Sequence, residues 1–230
     1  MNRILYIVNI DWFFISHRLP IALAALNKGY EVHIACRFTN KFNYLKHLGF
    51  ILHPLNIDRG STNILHFILN LLQIYNLIRK IKPNLVHLVT IKPVLISCLA
   101  IHFINPKPAI VCSISGLGHV YISTKPLSKF KRFLVSILYK VSLFHANILV
   151  IFQNKDDSSL ISRLTNLSSE KQILIPGSGI ELDKYQKTII SQNSRLVIFP
   201  ARLLISKGIL DFVEVAKILK GKARFILVGM

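Results

Sequence analysis

The sequence predicts a doubly wound α/β architecture, a mostly parallel sheet with helices over both faces. Three observations carry the prediction. Short β-branched runs alternate with longer stretches of helical period from residue 4 to residue 175. Glycine or proline marks many of the changeovers. Hydrophobic residues make up 52% of the 230, which excludes general disorder and allows a substantial core.

Residues 4–10 (ILYIVNI) read as a first strand, and residues 14–28 as a helix ended by Gly29. Residues 31–36 form a second strand, residues 39–48 a helix closed by Gly49, and residues 50–55 a third strand. A long helix is expected over residues 61–80, because Ile64, Leu65, Ile68, Leu71, Leu72, Tyr75 and Ile78 fall on one broad face. Pro83 marks the turn into a strand at 85–89, followed by a helix at 94–103 and a strand at 109–113. Pro126 opens a helix over 126–143. A strand at 148–152, a helix from 156 to 164 and a strand at 172–175 complete this half. Such sheets bind ligands outside the carboxyl ends of their strands. Function is therefore expected in loops 9–16, 37–40, 56–61, 90–93, 113–124 and 153–157.

A polar connection runs from Gly177 to Ser194, followed by a strand at 196–199, a basic loop at 202–208, a helix at 209–220 and a strand at 225–228. Two strands and one helix are too little to bury a core alone. The segment is either an addition to the first domain or the opening βαβ of a second, with the expected division at 1–188 and 189–230.

Lysine and arginine number 29 against 10 acidic residues, a formal charge of +19. That balance predicts attraction to nucleic acid, an anionic membrane face or phosphorylated substrates. There is no RNA-binding aromatic signature, zinc finger or clear helix-turn-helix, so nucleic acid is not the expected partner. Cys36, Cys98 and Cys112 are widely spaced in apolar runs without a CxxC pair, which suits buried thiols in the reducing cytoplasm. The apolar stretches 64–78 and 133–152 are interrupted by polar residues and 94–104 is short, so membrane contact is expected from the side. No HExxH, paired cysteines or acidic cluster suggests a metal centre.

Four stretches carry candidate chemistry. Arg202 and Lys207 precede Gly208 at a helix entry, where free backbone N–H groups favour an anion. They form either a diphosphate clamp or a solvated basic turn. His17 and Arg18 are expected in the first turn of a helix capped by Ser16, giving an acceptor platform beside Trp12 or simple aromatic packing with a solvated arginine. Gly116 and Gly118 permit positive φ or close backbone approach, and His119 is a titratable group suited to acid–base work or phosphate binding, or merely an exposed loop histidine. Lys125, Lys129, Lys131 and Arg132 lead into a helix with Phe133, Leu134, Ile137 and Leu138, as a seat on an anionic bilayer or a solvated face.

Taken together, several stretches resemble bacterial family-4 glycosyltransferases of the GT-B fold, notably those of capsule, O-antigen, lipopolysaccharide or N-glycan assembly. They are Phe14-x-Ser16-His17-Arg18-Leu19-Pro20 with Gly29 to His33, Ser115 to Gly118, Phe152-Gln153-Asn154-x-Asp156-Asp157 and Ile175 to Ile180. Ala201-Arg202-Leu203-Leu204-x-x-Lys207-Gly208 and Phe225-x-Leu227-Val228-Gly229 close the series. The resemblance implies a Rossmann-like N-terminal domain and the start of a second, nucleotide-sugar-binding one. It implies retaining transfer of a hexose or N-acetylhexosamine from a nucleotide sugar, UDP-linked, to a glycan on undecaprenyl diphosphate, at the inner face of the cytoplasmic membrane. No metal or other cofactor is implied. Arg202 and Lys207 would hold the donor diphosphate, with Gly208, and stabilise the leaving nucleotide. His17, Arg18, Gly116, Gly118 and His119 would line the acceptor side. The family's acidic pair and base pocket have no counterpart before Met230, so the chain is expected to be C-terminally truncated and impaired. A noncatalytic basic module that binds a membrane or a partner subunit is the alternative.

Overall fold

A computed structural model describes residues 2–57, 63–116, 126–185 and 195–229. The chain divides into two compact units, Met1–Gly179 and Ile180–Met230.

In the first unit the elements are β1 (Arg3–Ile10), α1 (Asp11–Asn27), β2 (Glu31–Arg37), α2 (Phe42–His47), β3 (Ile51–Pro54) and α3 (Ile64–Ile81). They continue with β4 (Leu85–Val89), α4 (Ile91–His102), β5 (Ala109–Ile114), α5 (Pro126–Ser142), β6 (Ile148–Phe152), α6 (Lys155–Thr165) and β7 (Gln172–Leu174). The seven strands are all parallel and ordered β3-β2-β1-β4-β5-β6-β7. This is the expected Rossmann-like sheet. Strands are added in one direction up to β3, and the chain then crosses to β4 on the other side of β1 and adds strands the opposite way. The order reverses between β1 and β4, the switch point where such sheets open a crevice.

Strand alternation distributes the apolar side chains into two cores. One face packs Tyr6, Val8, Ile34 and Cys36 against Phe14 and Phe50 beneath α1 and α2. The other packs Leu5, Ile7, Leu88, Cys112 and Val150 beneath α3, α4, α5 and α6. Among the latter, α4 is buried over most of its length, including Val94, Leu95, Ile96, Cys98 and Ile101, which accounts for its nearly unbroken apolar sequence. The three cysteines are buried free thiols, and the Cys98 and Cys112 sulfurs lie 3.7 Å apart in a thiol contact.

Two helices start earlier than expected. No loop separates β1 from α1: the chain passes from Ile10 directly to Asp11, because the Asp11 carboxylate accepts from the Trp12 N–H at 2.8 Å within the first turn. Ser16 therefore does not cap α1, and its hydroxyl donates to the Phe13 carbonyl instead. Likewise α4 begins at Ile91, so that Pro93 sits inside its first turn and only Thr90 remains between strand and helix, a position where the missing proline N–H costs nothing.

The second unit holds β8 (Leu196–Pro200), α7 (Ile209–Ile218) and β9 (Arg224–Val228), a parallel pair with a helical crossover. Phe212 of α7 packs between Phe199 and Phe225, tilted against the first and edge-on to the second, with ring centroids at 5.1 and 5.5 Å. None of the described residues of this unit is fully buried.

Candidate functional site

Three adjacent strand ends are tied together at the switch point. The Asn9 amide, on β1, donates to Thr90 Oγ1 after β4 at 2.7 Å, and both residues are buried. The Thr90 N–H donates to the Ser113 carbonyl of β5 at 3.1 Å. Thr90 has φ 74° and ψ 165°, a conformation normally left to glycine and costing about 1–3 kcal/mol in any other residue. Bonds on both sides over-determine it, and the result is a rigid floor at the crevice. Below it, His87 Nε2 and Ser113 Oγ are 2.8 Å apart, and the Tyr6 and His87 rings lie 5.1 Å apart. Burial raises the Tyr6 phenol to about 12 against an opposing influence of Arg18, and burial with help from Arg18 lowers His87 to about 3. Both groups are neutral near pH 7.

The start of α1 is anchored by Asp11, which is fully buried. Its carboxylate accepts from Trp12 N–H, Thr39 N–H, Thr39 Oγ1 and Lys41 N–H at 2.8, 2.7, 2.9 and 3.2 Å. Burial pushes this carboxyl up, but the donors together hold it below the usual range. One turn on, the His17 ring stacks on Phe13 at 4.0 Å, and its Nδ1 lies 2.6 Å from Ser16 Oγ. Burial, with Arg18 nearby, lowers its pKa despite the contact with the Phe13 carbonyl.

Arg18 reaches furthest. Its Nη1 donates to the His17 carbonyl at 2.8 Å and to Ser178 Oγ, in the turn after β7, at 3.3 Å. The Gln153 amide, following β6, donates to the same Ser178 hydroxyl at 3.5 Å. Arg18 Nε is enclosed without a partner among the described residues. Burial lowers the guanidinium pKa, opposed by Tyr6. The structure thus brings Arg18 together with Gln153 and Ser178 across the strand ends.

Of the other expected site residues, Gly116 is at φ 143° with open space where a Cβ would stand, so conformation rather than close approach requires the glycine. Gly118, His119 and Lys125 lie outside the described residues. Lys129, Lys131 and Arg132 lie on α5, whose later residues Phe133, Ile137 and Val141, with Phe144 beyond its end, are exposed at spacings of four, four and three. No described helix is long and apolar enough to cross a membrane. Among the described residues, no group of three or more His, Cys, Asp or Glu is placed to hold a metal ion.

In the second unit, Arg202 follows β8 and Lys207 ends a 3-10 turn, Ile205–Lys207. Both are exposed. Gly208, at φ 82°, is the N-cap of α7 and offers no side-chain cap. Asp211 in the first turn approaches to 3.5 Å of where a Gly208 Cβ would stand. Gly229 is the glycine that close packing demands, since a Cβ there would fall onto the Ala201 carbonyl oxygen and 3.5 Å from Arg202 N. This abutment fixes the backbone on which Arg202 stands.

The family described as "Glycosyl transferase 4-like" matches residues 3–154. A Campylobacter jejuni N,N'-diacetylbacillosaminyl-diphospho-undecaprenol alpha-1,3-N-acetylgalactosaminyltransferase is 25% identical over 237 aligned residues, covering 94% of this chain and 62% of its own length. Among solved structures, a glycosyltransferase from Rickettsia africae aligns with a TM-score of 0.67 at 18% identity, covering 99% of this chain and 60% of its own. Sucrose-phosphate synthase from Thermosynechococcus elongatus aligns with a TM-score of 0.72 at 14% identity, covering 100% of this chain and 62% of its own. The chain therefore spans less than two thirds of each of these three proteins, and the structural likenesses establish the fold.

Proposed function

From a chain that belongs to the glycosyl transferase 4-like family, we propose a retaining transfer of a hexose or N-acetylhexosamine from a UDP-sugar to a glycan carried on polyprenyl diphosphate. The observation that supports this most is the alignment of 94% of the chain with a relative whose own acceptor is a diphospho-undecaprenol and whose sugar is N-acetylgalactosamine. The reaction is assigned to the protein of which these 230 residues are at least part.

In this reading Arg202 and Lys207 hold the donor diphosphate at the entry to α7, with the Gly208 backbone close by. Negative charge accumulates on the departing nucleotide in the transition state, and cations already in place stabilise it without reorganisation. The N-terminal N–H groups of α7 add to the same field. His119 is assigned to the reacting sugar as an acid–base or hydrogen-bonding group, and His17, Arg18, Gly116 and Gly118 to the acceptor side. The stripe of Phe133, Ile137 and Val141 on α5, with Phe144 just beyond its end, preceded in sequence by Lys125, Lys129, Lys131 and Arg132, seats the protein on the anionic inner face of the membrane.

Titration of the chain with UDP tests the assignment. Arg202→Ala/Lys207→Ala is expected to lower the affinity at least tenfold and to flatten its salt dependence. Wild-type affinity in the double variant would remove the clamp. For His119, loss of transfer in His119→Ala with UDP affinity retained is the expected result in the assay of sugar transfer.

A further inference from the structure

The transferase reading leaves the ligand of Arg18 unspecified, and the surroundings of this residue define it. Arg18 stands on α1, beside the switch point, and bonds to Ser178 in the segment that follows β7. The titratable groups that feel its charge are Tyr6, His17 and His87; burial raises the Tyr6 phenol and lowers both histidines, so none of them is an anion near pH 7. No carboxylate pairs with it: among the described residues the ion pairs are those of Arg3 and His33 with Glu31. A partly desolvated guanidinium without a counterion is costly, and folded proteins resolve that cost by pairing the charge.

Apart from the His17 carbonyl that accepts from it, the side chains beside it are neutral groups that can donate. Ser178 Oγ accepts from both Arg18 and Gln153, which leaves its own proton to point outward. Gly177 and Gly179, at φ 78° and 74°, turn the chain sharply on either side of Ser178, and Ser178 itself is exposed. A forked cation, an amide and a hydroxyl from three separate chain segments converge with no acid among them. That is the chemistry of a site for an oxyanion, with the guanidinium as its charged donor.

We propose that Arg18, Gln153 and Ser178 form a cradle for a phosphate of the acceptor's lipid diphosphate. This rests on the transferase reading, in which the donor diphosphate is taken by Arg202 and Lys207 of the second unit; the cradle is built wholly from the first. Holding the acceptor by its diphosphate fixes the distance from the membrane-borne lipid to the sugar that receives the transfer. It also makes recognition independent of the identity of that sugar.

Calorimetric titration of the chain with farnesyl diphosphate and, separately, with UDP tests this, with farnesol as the control for apolar binding. Arg18→Gln is expected to weaken farnesyl diphosphate about ten- to hundredfold, the range for loss of charge-assisted hydrogen bonds. Arg18→Lys should fall between the two, and Ser178→Ala should weaken it severalfold. Arg202→Ala/Lys207→Ala should weaken UDP and leave farnesyl diphosphate unchanged. Ser178 is exposed, so its variant tests the cradle even where Arg18→Gln fails to fold by circular dichroism. Absent binding of farnesyl diphosphate to the wild-type chain overturns the proposal, as does wild-type affinity in folded Arg18→Gln or, where that does not fold, in Ser178→Ala. An Arg18→Gln effect confined to UDP also overturns it, assigning the cradle to the donor. Farnesyl diphosphate binding that depends on Arg18 in a chain with no UDP affinity would keep the cradle and remove the transferase reading.

Discussion

Replacing Asp11 by asparagine tests whether the first crossover hangs on one buried carboxylate. Oδ1 accepts from Trp12 N–H and Thr39 Oγ1, and Oδ2 accepts from Thr39 N–H at 2.7 Å and Lys41 N–H at 3.2 Å. In the Asp11→Asn variant the amide oxygen can keep the first pair, but the amide nitrogen then faces the two N–H groups of the second. Charge-assisted bonds contribute about 1.5–3 kcal/mol each, and relaxation returns part of the loss, so a destabilisation of about 3 kcal/mol is expected. For a domain of this size that is a melting shift of about 6–12 °C. Trp12, the only tryptophan, is adjacent and half exposed, so urea unfolding followed by its fluorescence reports on this site. The folded-state pKa of Asp11 is depressed. Its contribution is therefore full above the unfolded value of about 3.9 and lost as pH falls through the folded value. The gap between wild type and Asp11→Asn should be constant above about pH 5 and close in acid. A loss below about 1 kcal/mol, or a gap that does not change with acid, would refute the argument.

Thr90→Val keeps the branched side chain but leaves the Asn9 amide without its acceptor, and should cost about 1–3 kcal/mol in the same unfolding assay, whereas Thr90→Ser should cost under about 1 kcal/mol. His87, held at about 3 chiefly by burial, should show no titration in its ring NMR resonances between pH 5 and 8. Its contribution to stability is full above the unfolded value of about 6.5 and declines as pH falls from there towards the folded one. Gly229→Ala forces a Cβ onto the Ala201 carbonyl and should raise amide exchange in β8 and β9, leaving β1 to β6 protected. Phe133→Ser/Ile137→Ser should reduce co-sedimentation with anionic vesicles severalfold without altering UDP affinity; unchanged sedimentation would detach α5 from the membrane role.

The sheet was legible because buried parallel strands and the helices between them differ in period, and all seven strand positions in the first unit fall within a residue or two of their expected places. Strand order was not, since nothing local to residues 4–10 or 85–89 says that these two runs lie side by side. Hence Asn9 and Thr90 carried no signal as a pair, and a threonine gives no warning that its backbone will occupy a glycine conformation. Arg18 was legible as a cation near the ligand end, but its partners were not: Gln153 and Ser178 sit 135 and 160 positions away, and only the closed topology brings them to it. The charge excess gains meaning from the same comparison. With 10 acidic residues against 29 basic ones, carboxylates are scarce, and those that are placed go to structural tasks, Asp11 to backbone donors and Glu31 to Arg3 and His33. Among the described residues Arg18 consequently has no carboxylate partner, which suits a protein whose proposed substrates each bring a diphosphate of their own.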